Sequence, residues 1–446
     1  MFKTLVNAFK VKDIRKKLLI VLGLLLVYRV GCAIVCPGFD LSDQIADSTS
    51  GTTFFSLMNM LSGNALSNGA ILALGVSPYI TASIVIQLLT VAIPPLERLA
   101  KQGEDGKRKM QFYTRITALV LALAQAIGIV VSFQSAINTD ILGLPTWVIG
   151  MGIVLILTAG AMFTVWIGEK ITQLGVCGSG MSLLIFVGIL SSAASGISSA
   201  ISQVGDNIDN LWMIIIYVVA VILIFGLIVF IDNSERRVPV SYAKQIKGRK
   251  MYGGQDTFIP IKLNSSGVMP IIFATSLLTL PQLIISIFWP GSEAEIWYQT
   301  WLGTSSWIYI VVLALLIFAF AFFYSMITFD TNDISRRLQQ QGGFVKGIRP
   351  GRETAEYLKK ISRRITLFGA FFLAFIALVP SLAFKAISDS STLTSLINAF
   401  SATGLMIIVS VALEFDKNLE AQMYMRNYKG LSLIHISEPT RLDVMS

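Results

Sequence analysis

GTTFFSLMNMLSGNALSNGAILALGVSPYITASIVIQLLTVAI, residues 51 to 93, is the stretch on which the reading of this chain turns. It is apolar enough for a membrane yet badly built as a simple anchor. Its first part, Thr52 to Leu66, is shorter than the roughly 20 helical residues that cross a bilayer. Ser62-Gly63-Asn64 and Ser67-Asn68-Gly69 then break it, so it is expected to dip in and turn back. The second part, Ala70 to Ile93, is long enough to span, but Gly75 and Pro78 weaken its helix. Ser77, Thr81, Ser83, Gln87 and Thr90 add hydroxyls and an amide. Irregular backbone persists at membrane depth only where protein buries it or where it lines a water-filled cavity. A re-entrant piece followed by a polar, kinked span therefore points to a conduit.

Composition agrees with a membrane setting. Hydrophobic residues make up 54% of the chain and charged residues 14%, against roughly 25% charged in soluble domains; the mean hydropathy is +0.71. The net charge of +9 and pI near 9.4 would suit nucleic acid or anionic lipid, unless topology explains them. Cys32 and Cys36 lie on one apolar helix and Cys177 is far away, which reads as small packing residues rather than a metal or redox site.

In chain order, Met1 to Lys17 is basic and partly amphipathic, with Phe2, Leu5, Val6 and Phe9 on one side, and is expected on a membrane surface. Leu18 to Cys36 is a first span, too long for a signal-peptide core and followed by many more. Further apolar runs lie at 116–133, 147–167, 181–198, 211–231, 267–289, 307–329, 365–384 and 394–414; with 70–93 they make ten spans.

The basic residues test that count. With the N-terminus inside, all of the 35 lysines and arginines except Arg29 and Lys385 fall in the inside segments 1–17, 94–115, 168–180, 232–266, 330–364 and 415–446. The outside loops carry Asp40, Asp43, Asp47, Asp140, Asp206, Asp209, Glu293 and Glu295 instead. Such one-sidedness supports ten spans with both ends inside, and it generates the net charge without nucleic acid.

Two inside loops exceed what topology needs. Within 234–264, alternation around Arg236 to Ala243 and Asp256 to Leu263, with Gly253-Gly254 between, predicts a β-hairpin. Within 330–364, Ile334 to Gln341 and Arg352 to Lys360 read as helices flanking a tip, GGFVKGIRPG, that carries Lys346 and Arg349. A solvated loop explains these charges, and so does a docking site; a guanidinium on an Ile-Arg-Pro-Gly turn suits bidentate recognition of phosphate or carboxylate.

Absences narrow the function. Apart from Arg29, no Asp, Glu, Lys, Arg or His falls inside an apolar core except where Glu414 closes the tenth. Ion-coupled transport normally needs such groups. There is no G-x-x-x-x-G-K-[ST] loop, so a nucleotide-driven motor must be another protein. The single histidine, His435, lies in the tail, so a His-based catalytic or metal site has no candidate, and no catalytic, metal or cofactor residue is assigned. Arg29 itself reads as a packed or snorkelling residue.

GAILALGVSPYITASIVIQLL at 69–89, followed by RLAKQGEDGKRK at 98–109, resembles the second transmembrane region of the SecY family, the central subunits of the bacterial protein-translocation channel. WIGEKITQLGVCGSGMSLLIF at 166–186, VSYAKQIKGRK, LNSSGVMPIIFATS, GGFVKGIRPGRET and EAQMYMRN follow in family order, so the resemblance runs from Met1 to about Gly430. The remainder, LSLIHISEPTRLDVMS, departs from the family's short basic tail and resembles a translated sequencing-library adaptor. No function is attached to 431–446, which is expected to be non-native.

The resemblance implies an all-α integral membrane fold: ten transmembrane helices in two pseudo-symmetric inverted five-helix halves. Residues 1–17 would form a cytoplasmic amphipathic N-terminus. The N-terminal half would be 18–198 with a plug at 52–66, the C-terminal half 199–414 with cytoplasmic loops 234–264 and 330–364, and 415–430 a cytoplasmic C-terminus. By resemblance the pore ring is Val76, Ile80, Met181, Ile185, Ile272 and Ile407, and the plug presents Phe54, Phe55, Leu57, Met58, Met60 and Leu61. Gln87, Gln125, Thr275 and Ser276 would line a lateral gate. Arg236, Arg237, Lys244, Lys247, Arg249, Lys250, Lys346 and Arg349 would dock a motor or ribosome.

The implied function is a protein-conducting channel, not an enzyme, in the bacterial cytoplasmic membrane. It would pass unfolded polypeptides across and release apolar segments into lipid. Its expected partners are SecE-type and SecG-type small subunits, the SecA ATPase, the ribosome, signal peptides and nascent chains, and membrane lipid. The alternative is a small-molecule secondary transporter, which also shows inverted repeats and broken spans but would lack buried ionisable groups here.

Overall fold

Each apolar run assigned to a span coincides at least in part with a helix in the computed structural model. The structure describes residues 2–39, 53–100, 102–137, 145–176, 178–204, 211–242, 245–247, 250–252, 256–264, 267–289, 292–303, 306–386 and 402–436. Helices α1 (Phe2–Lys10) and α2 (Lys12–Ala33) lead to α3 (Thr53–Ser62), α4 (Ser77–Ala92) and α5 (Pro94–Ala100). Then come α6 (Glu104–Ser132), α7 (Thr146–Leu174), α8 (Gly180–Val204) and α9 (Leu211–Asp232). Strands β1 (Glu235–Tyr242), β2 (Gln245–Lys247), β3 (Lys250–Tyr252) and β4 (Asp256–Lys262) follow. Next are α10 (Met269–Phe288), α11 (Glu293–Leu302), α12 (Trp307–Thr328) and α13 (Thr331–Gln340). Strand β5 (Gly343–Val345), α14 (Arg352–Ala386) and α15 (Ala402–Ile436) complete the order. Residues 394–401 of the tenth run lie outside the described residues.

By length and composition, five helical segments among the described residues can cross a membrane, or six if α4 and α5, bent by 109° at their break, count as one span. Val218–Asp232 and Met269–Gln282 are shorter apolar helices. On α9 the large apolar side chains face outward, Leu223 at 68% and Phe230 at 75% exposure. That pattern suits lipid and not water.

Several boundaries differ from expectation. The span expected over 70–93 is helical only from Ser77 to Ala92; at 1.5 Å per residue those 16 residues reach about 24 Å, less than the roughly 30 Å apolar core. Residues 71–76 run as turns, and Pro78 sits in the first turn of α4, where its missing N–H removes no bond. Proline here starts the helix and does not weaken it. Arg352 to Lys360 is not a separate helix but the first turns of α14, 35 residues long, which continues into the ninth span. The helix expected from Ile334 begins earlier, at Thr331, because Asp330 caps it by accepting from the Asn332 and Asp333 N–H groups.

Contacts divide the chain into two compact units, 1–46 with 58–191 and 411–446, and 47–57 with 192–410. In the first, α4 packs on α6, α6 on α7 and α7 on α2. Helix α6 buries Ala118, Ala122 and Ala126, each 0% exposed, a small-residue stripe of the kind that lets membrane helices approach closely.

In the second unit α10 packs on α12 and α12 on α14, where the Ser325 and Thr366 hydroxyls share a buried hydrogen bond of 2.6 Å. The short helix α11 is held by Tyr298, whose hydroxyl donates to the Leu278 carbonyl; burial pushes its phenol pKa up. The hairpin expected in 234–264 is present as β1 paired antiparallel with β4, from Glu235↔Lys262 to Ser241↔Asp256. Its far end carries a second pairing of β2 with β3.

Candidate functional site

The stretch expected to be re-entrant has a paired backbone after its helix. Helix α3 ends at Ser62, and the turns after it bond among themselves: Asn64 N–H to the Asn59 carbonyl at 2.9 Å, Gly69 N–H to Leu66 at 2.9 Å and Ala70 N–H to Ala65 at 2.9 Å. The Asn59 side chain ties the loop across, its oxygen accepting from Ser67 N–H at 3.0 Å. The end of α2 completes the set. Residues Ile34 to Cys36, expected to finish the first span, are instead extended: Cys36 N–H donates to Gly69 at 2.8 Å and Ile71 N–H to Ile34 at 2.9 Å. Unpaired groups here would be prohibitively costly in lipid, so the first span gives up its last helical turn to the re-entrant segment. Helix α7 closes over these turns at Gly160, where a Cβ would lie 2.2 Å from the Ile71 carbonyl oxygen.

Of the plug residues, Met58 is 2% exposed, while Met60 and Leu61 are half-buried. The side chains of Phe54, Phe55 and Leu57 lie outside the described residues.

The six residues expected to form the ring are all buried: Val76 1%, Ile80 9%, Met181 9%, Ile185 5%, Ile272 8% and Ile407 2% exposed. The first four belong to one unit and the last two to the other. Five of them sit at helix beginnings. Val76 is the N-cap of α4 with Ile80 one turn on, Met181 and Ile185 open α8, and Ile272 lies in the first turn of α10.

A local repeat underlies this placement. Gly75-Val76-Ser77-Pro78-Tyr79-Ile80 and Gly267-Val268-Met269-Pro270-Ile271-Ile272 share the pattern Gly-Val-x-Pro-x-Ile. Both glycines have positive φ, 53° and 62°, and both valines cap their helices at nearly the same angles, φ −91° and −88°. Val268, half-buried, is thus the local counterpart of Val76, and comparing the two six-residue stretches would have found it. Gly168 on α7 is a second position that sequence reasoning passed over: a Cβ there would lie 2.4 Å from the Met181 sulfur. Its bareness leaves the Met181 side chain its place.

Of the gate residues, Gln87 on α4 and Gln125 on α6 belong to one unit, Thr275 and Ser276 on α10 to the other. Gln125 is 1% exposed, and its Oε1 has no hydrogen-bond partner among the described residues; leaving such an atom unpaired costs about 1–3 kcal/mol. Thr275 satisfies its hydroxyl within α10 by donating to the Ile271 carbonyl at 3.0 Å.

The two long loops form one body. Strand β5 from the 330–364 loop adds to the hairpin in the order β4-β1-β5, with Val240 opposite Val345. Part of the expected tip, GFV, is therefore sheet. Beneath it Val238, Val240, Ile261, Leu338, Val345 and Leu358 make a small apolar core. Arg349 is exposed on a braced turn: its carbonyl accepts from the Thr354 hydroxyl at 2.8 Å, and the Gly351 carbonyl accepts from Ser335 at 2.6 Å.

Arg236 and Lys346 are exposed. Arg237 is engaged, bonded to Glu235 at 2.8 Å with its guanidinium 4.7 Å from the Phe258 ring centre. Lys244 and Arg249, and the side chains of Lys247 and Lys250, lie outside the described residues. At the loop's base, Asp232 accepts from Asn264 at 2.9 Å and from Ser410 at 3.1 Å, so the loop is tied to α15, three residues from Ile407.

Comparison with known proteins converges. A model of the SecY family matches residues 70–415. The protein translocase subunit SecY of Streptomyces coelicolor is 40% identical over 446 residues, 96% of this chain and 99% of that protein. The SecY of Mycobacterium bovis is 39% identical over 447 residues, with the same coverage. Among solved structures, a protein conducting channel superposes with a TM-score of 0.64 at 16% identity, covering 90% of this chain and 91% of that one. A SecY whose plug domain stabilises the closed state of the translocation channel gives 0.63 at 18% identity over 92% and 91%. Sec61 in a canine ribosome-channel complex gives 0.60 at 16% identity over 90% and 91%. With the family model matching most of the chain and these relatives along nearly its whole length, the chain belongs to the SecY family.

Proposed function

We propose that the chain is a protein-conducting channel: it passes unfolded polypeptides across a membrane and releases apolar segments sideways into lipid. The observation that carries the reading is the re-entrant α3 and its hydrogen-bonded turns, which lead directly into Val76 and Ile80. Irregular backbone at this depth belongs where it is enclosed by protein or lines a path. The halves 18–198 and 199–414 would close around that path. The apolar ring Val76, Ile80, Met181, Ile185, Ile272 and Ile407 would stop ions by dewetting, with the segment 52–66 as plug.

Helices α4 and α6 would face α10 and α12 across a lateral gate lined by Gln87, Gln125, Thr275 and Ser276. The unpaired Gln125 oxygen supports that role, since a gate must exchange its polar contacts at small cost. Both termini would lie on the cytoplasmic side of a bacterial cytoplasmic membrane, in keeping with the placement of Lys and Arg. SecE-type and SecG-type subunits would complete the channel, and SecA or the ribosome would dock on Arg236, Arg237, Lys244, Lys247, Arg249, Lys250, Lys346 and Arg349. The transporter reading has no support in the relatives, which are named as translocase subunits.

The test is reconstitution of the chain with its small subunits in vesicles, given SecA, ATP and a precursor with a signal peptide. Precursor should become protease-protected only when the chain and ATP are both present. Vesicles that protect no precursor would contradict the reading.

A further inference from the structure

Arg29 is a charged side chain within an apolar span core that the channel mechanism leaves unused, and that is an expensive place for a charge. Its guanidinium reaches two distant elements. Nη1 donates to the Gly63 carbonyl at 3.4 Å, and Nη2 donates to the Ser191 hydroxyl on α8. Gly63 follows α3 immediately, where the last carbonyls of a helix lack partners and present the negative end of its dipole. A cation is the right complement there. Gly63 and Asn64 have φ of 71° and 65°, two successive left-handed residues that make the reversal out of α3.

Space around this reversal is closed as well. A Cβ on Gly63 would lie 2.5 Å from Arg29 Nη1 and 2.9 Å from the Gly188 carbonyl oxygen, and one on Gly188 would lie 2.3 Å from the Leu61 carbonyl oxygen. The turn is thus gripped between Arg29 on α2 and Gly188 on α8. Gly188 lies three residues beyond the ring residue Ile185 and three before Ser191, so ring, grip and hydrogen bond follow one another along neighbouring positions of a single helix.

We propose that Arg29 is a positioning residue of the closed channel. It pins the exit of α3 to α8, so the plug can leave only when α2 and α8 let go of Gly63. This rests on the reading of 52–66 as a plug. It also makes displacement of α8, by a chain pressing on Ile185, a way to release plug and ring together.

The experiment uses the full channel complex. Hydrogen exchange and resting potassium current in planar bilayers are recorded for Arg29→Gln, Arg29→Lys, Ser191→Ala and a deletion of residues 53–62. Arg29→Gln should speed exchange of amides 63–69 about tenfold or more, the scale of one lost hydrogen bond to a charged donor, while α6 and α7 are unchanged. It should also raise resting current, with Arg29→Lys falling between it and the parent. Unchanged exchange at 63–69 overturns the proposal. So does a tight Arg29→Gln channel when the deletion leaks. A deletion that does not leak sinks the plug reading instead, and Arg29 is then judged on exchange alone. If Arg29→Gln does not fold, Ser191→Ala decides, with faster exchange at 63–69 supporting the proposal and no change opposing it.

Discussion

Ile80→Asn and Ile407→Asn are expected to leave the chain folded but to raise resting ion conductance about 5- to 150-fold. They should also admit substrates with defective signals. A closed apolar ring excludes ions because water leaves a narrow hydrophobic constriction. An asparagine amide shut inside it lacks partners and costs about 1–3 kcal/mol, a penalty that disappears once the pore opens and wets. The balance between closed and open moves by that amount. An ordinary core position behaves differently, because its amide has no wet state except the unfolded one. Ile129 on α6, 0% exposed, provides the contrast: Ile129→Asn should lower stability by several kcal/mol without a selective leak. Planar-bilayer conductance, thermal unfolding and export of a signal-defective precursor separate the cases. A tight Ile80→Asn or Ile407→Asn channel with unaltered selectivity would remove these residues from the ring.

Arg349→Glu is expected to abolish motor-driven translocation while insertion and stability stay as in the parent. The side chain is exposed, so its loss leaves no cavity, and the turn that presents it is held through its backbone by Thr354 and Ser335. Reversing the charge would cost a paired partner contact about 2–5 kcal/mol, at least about 30-fold in affinity. Arg352 tests whether position or mere charge matters. It is nearby but bonds Glu356 at 3.2 Å with a 93% exposed side chain, and such a pair contributes little. Arg352→Gln should therefore stay close to the parent in ATP-driven uptake by vesicles, and normal uptake by Arg349→Glu would return the loop to a solvated, positive-inside role.

The spans were legible because a bilayer leaves its mark locally. Long apolar runs and one-sided lysines and arginines place helices without any knowledge of their neighbours. The break at Ser62-Gly63-Asn64 was legible for the same reason, since glycine and asparagine take the left-handed angles found there. What stayed hidden depends on partners far away in sequence. Residues 71–76 read as part of a helix, yet they run as turns: Ile71 N–H bonds the Ile34 carbonyl beyond α2, the next turns close on themselves, and Gly75 takes a positive φ. Strand β5 is three residues long and exists only because β1 has an open edge beside it. Arg29 could be seen as anomalous, but neither Gly63 nor Ser191 stands near it in the sequence. The ring residues came through family resemblance, and the repeat Gly-Val-x-Pro-x-Ile was the one local signal that would have pointed to half of them.

The most direct measurement of the central claim follows the polypeptide itself. A photo-crosslinking residue is placed singly at positions 80, 272 and 407, and at Leu223 and Val311, which are 68% and 62% exposed on membrane helices. A precursor is then stalled in transit by a folded C-terminal domain. Adducts should form at 80, 272 and 407, only with signal-bearing precursor and ATP, and not at 223 or 311. Adducts confined to 223 and 311, or none at all three ring positions while translocation proceeds, would contradict a path through the chain.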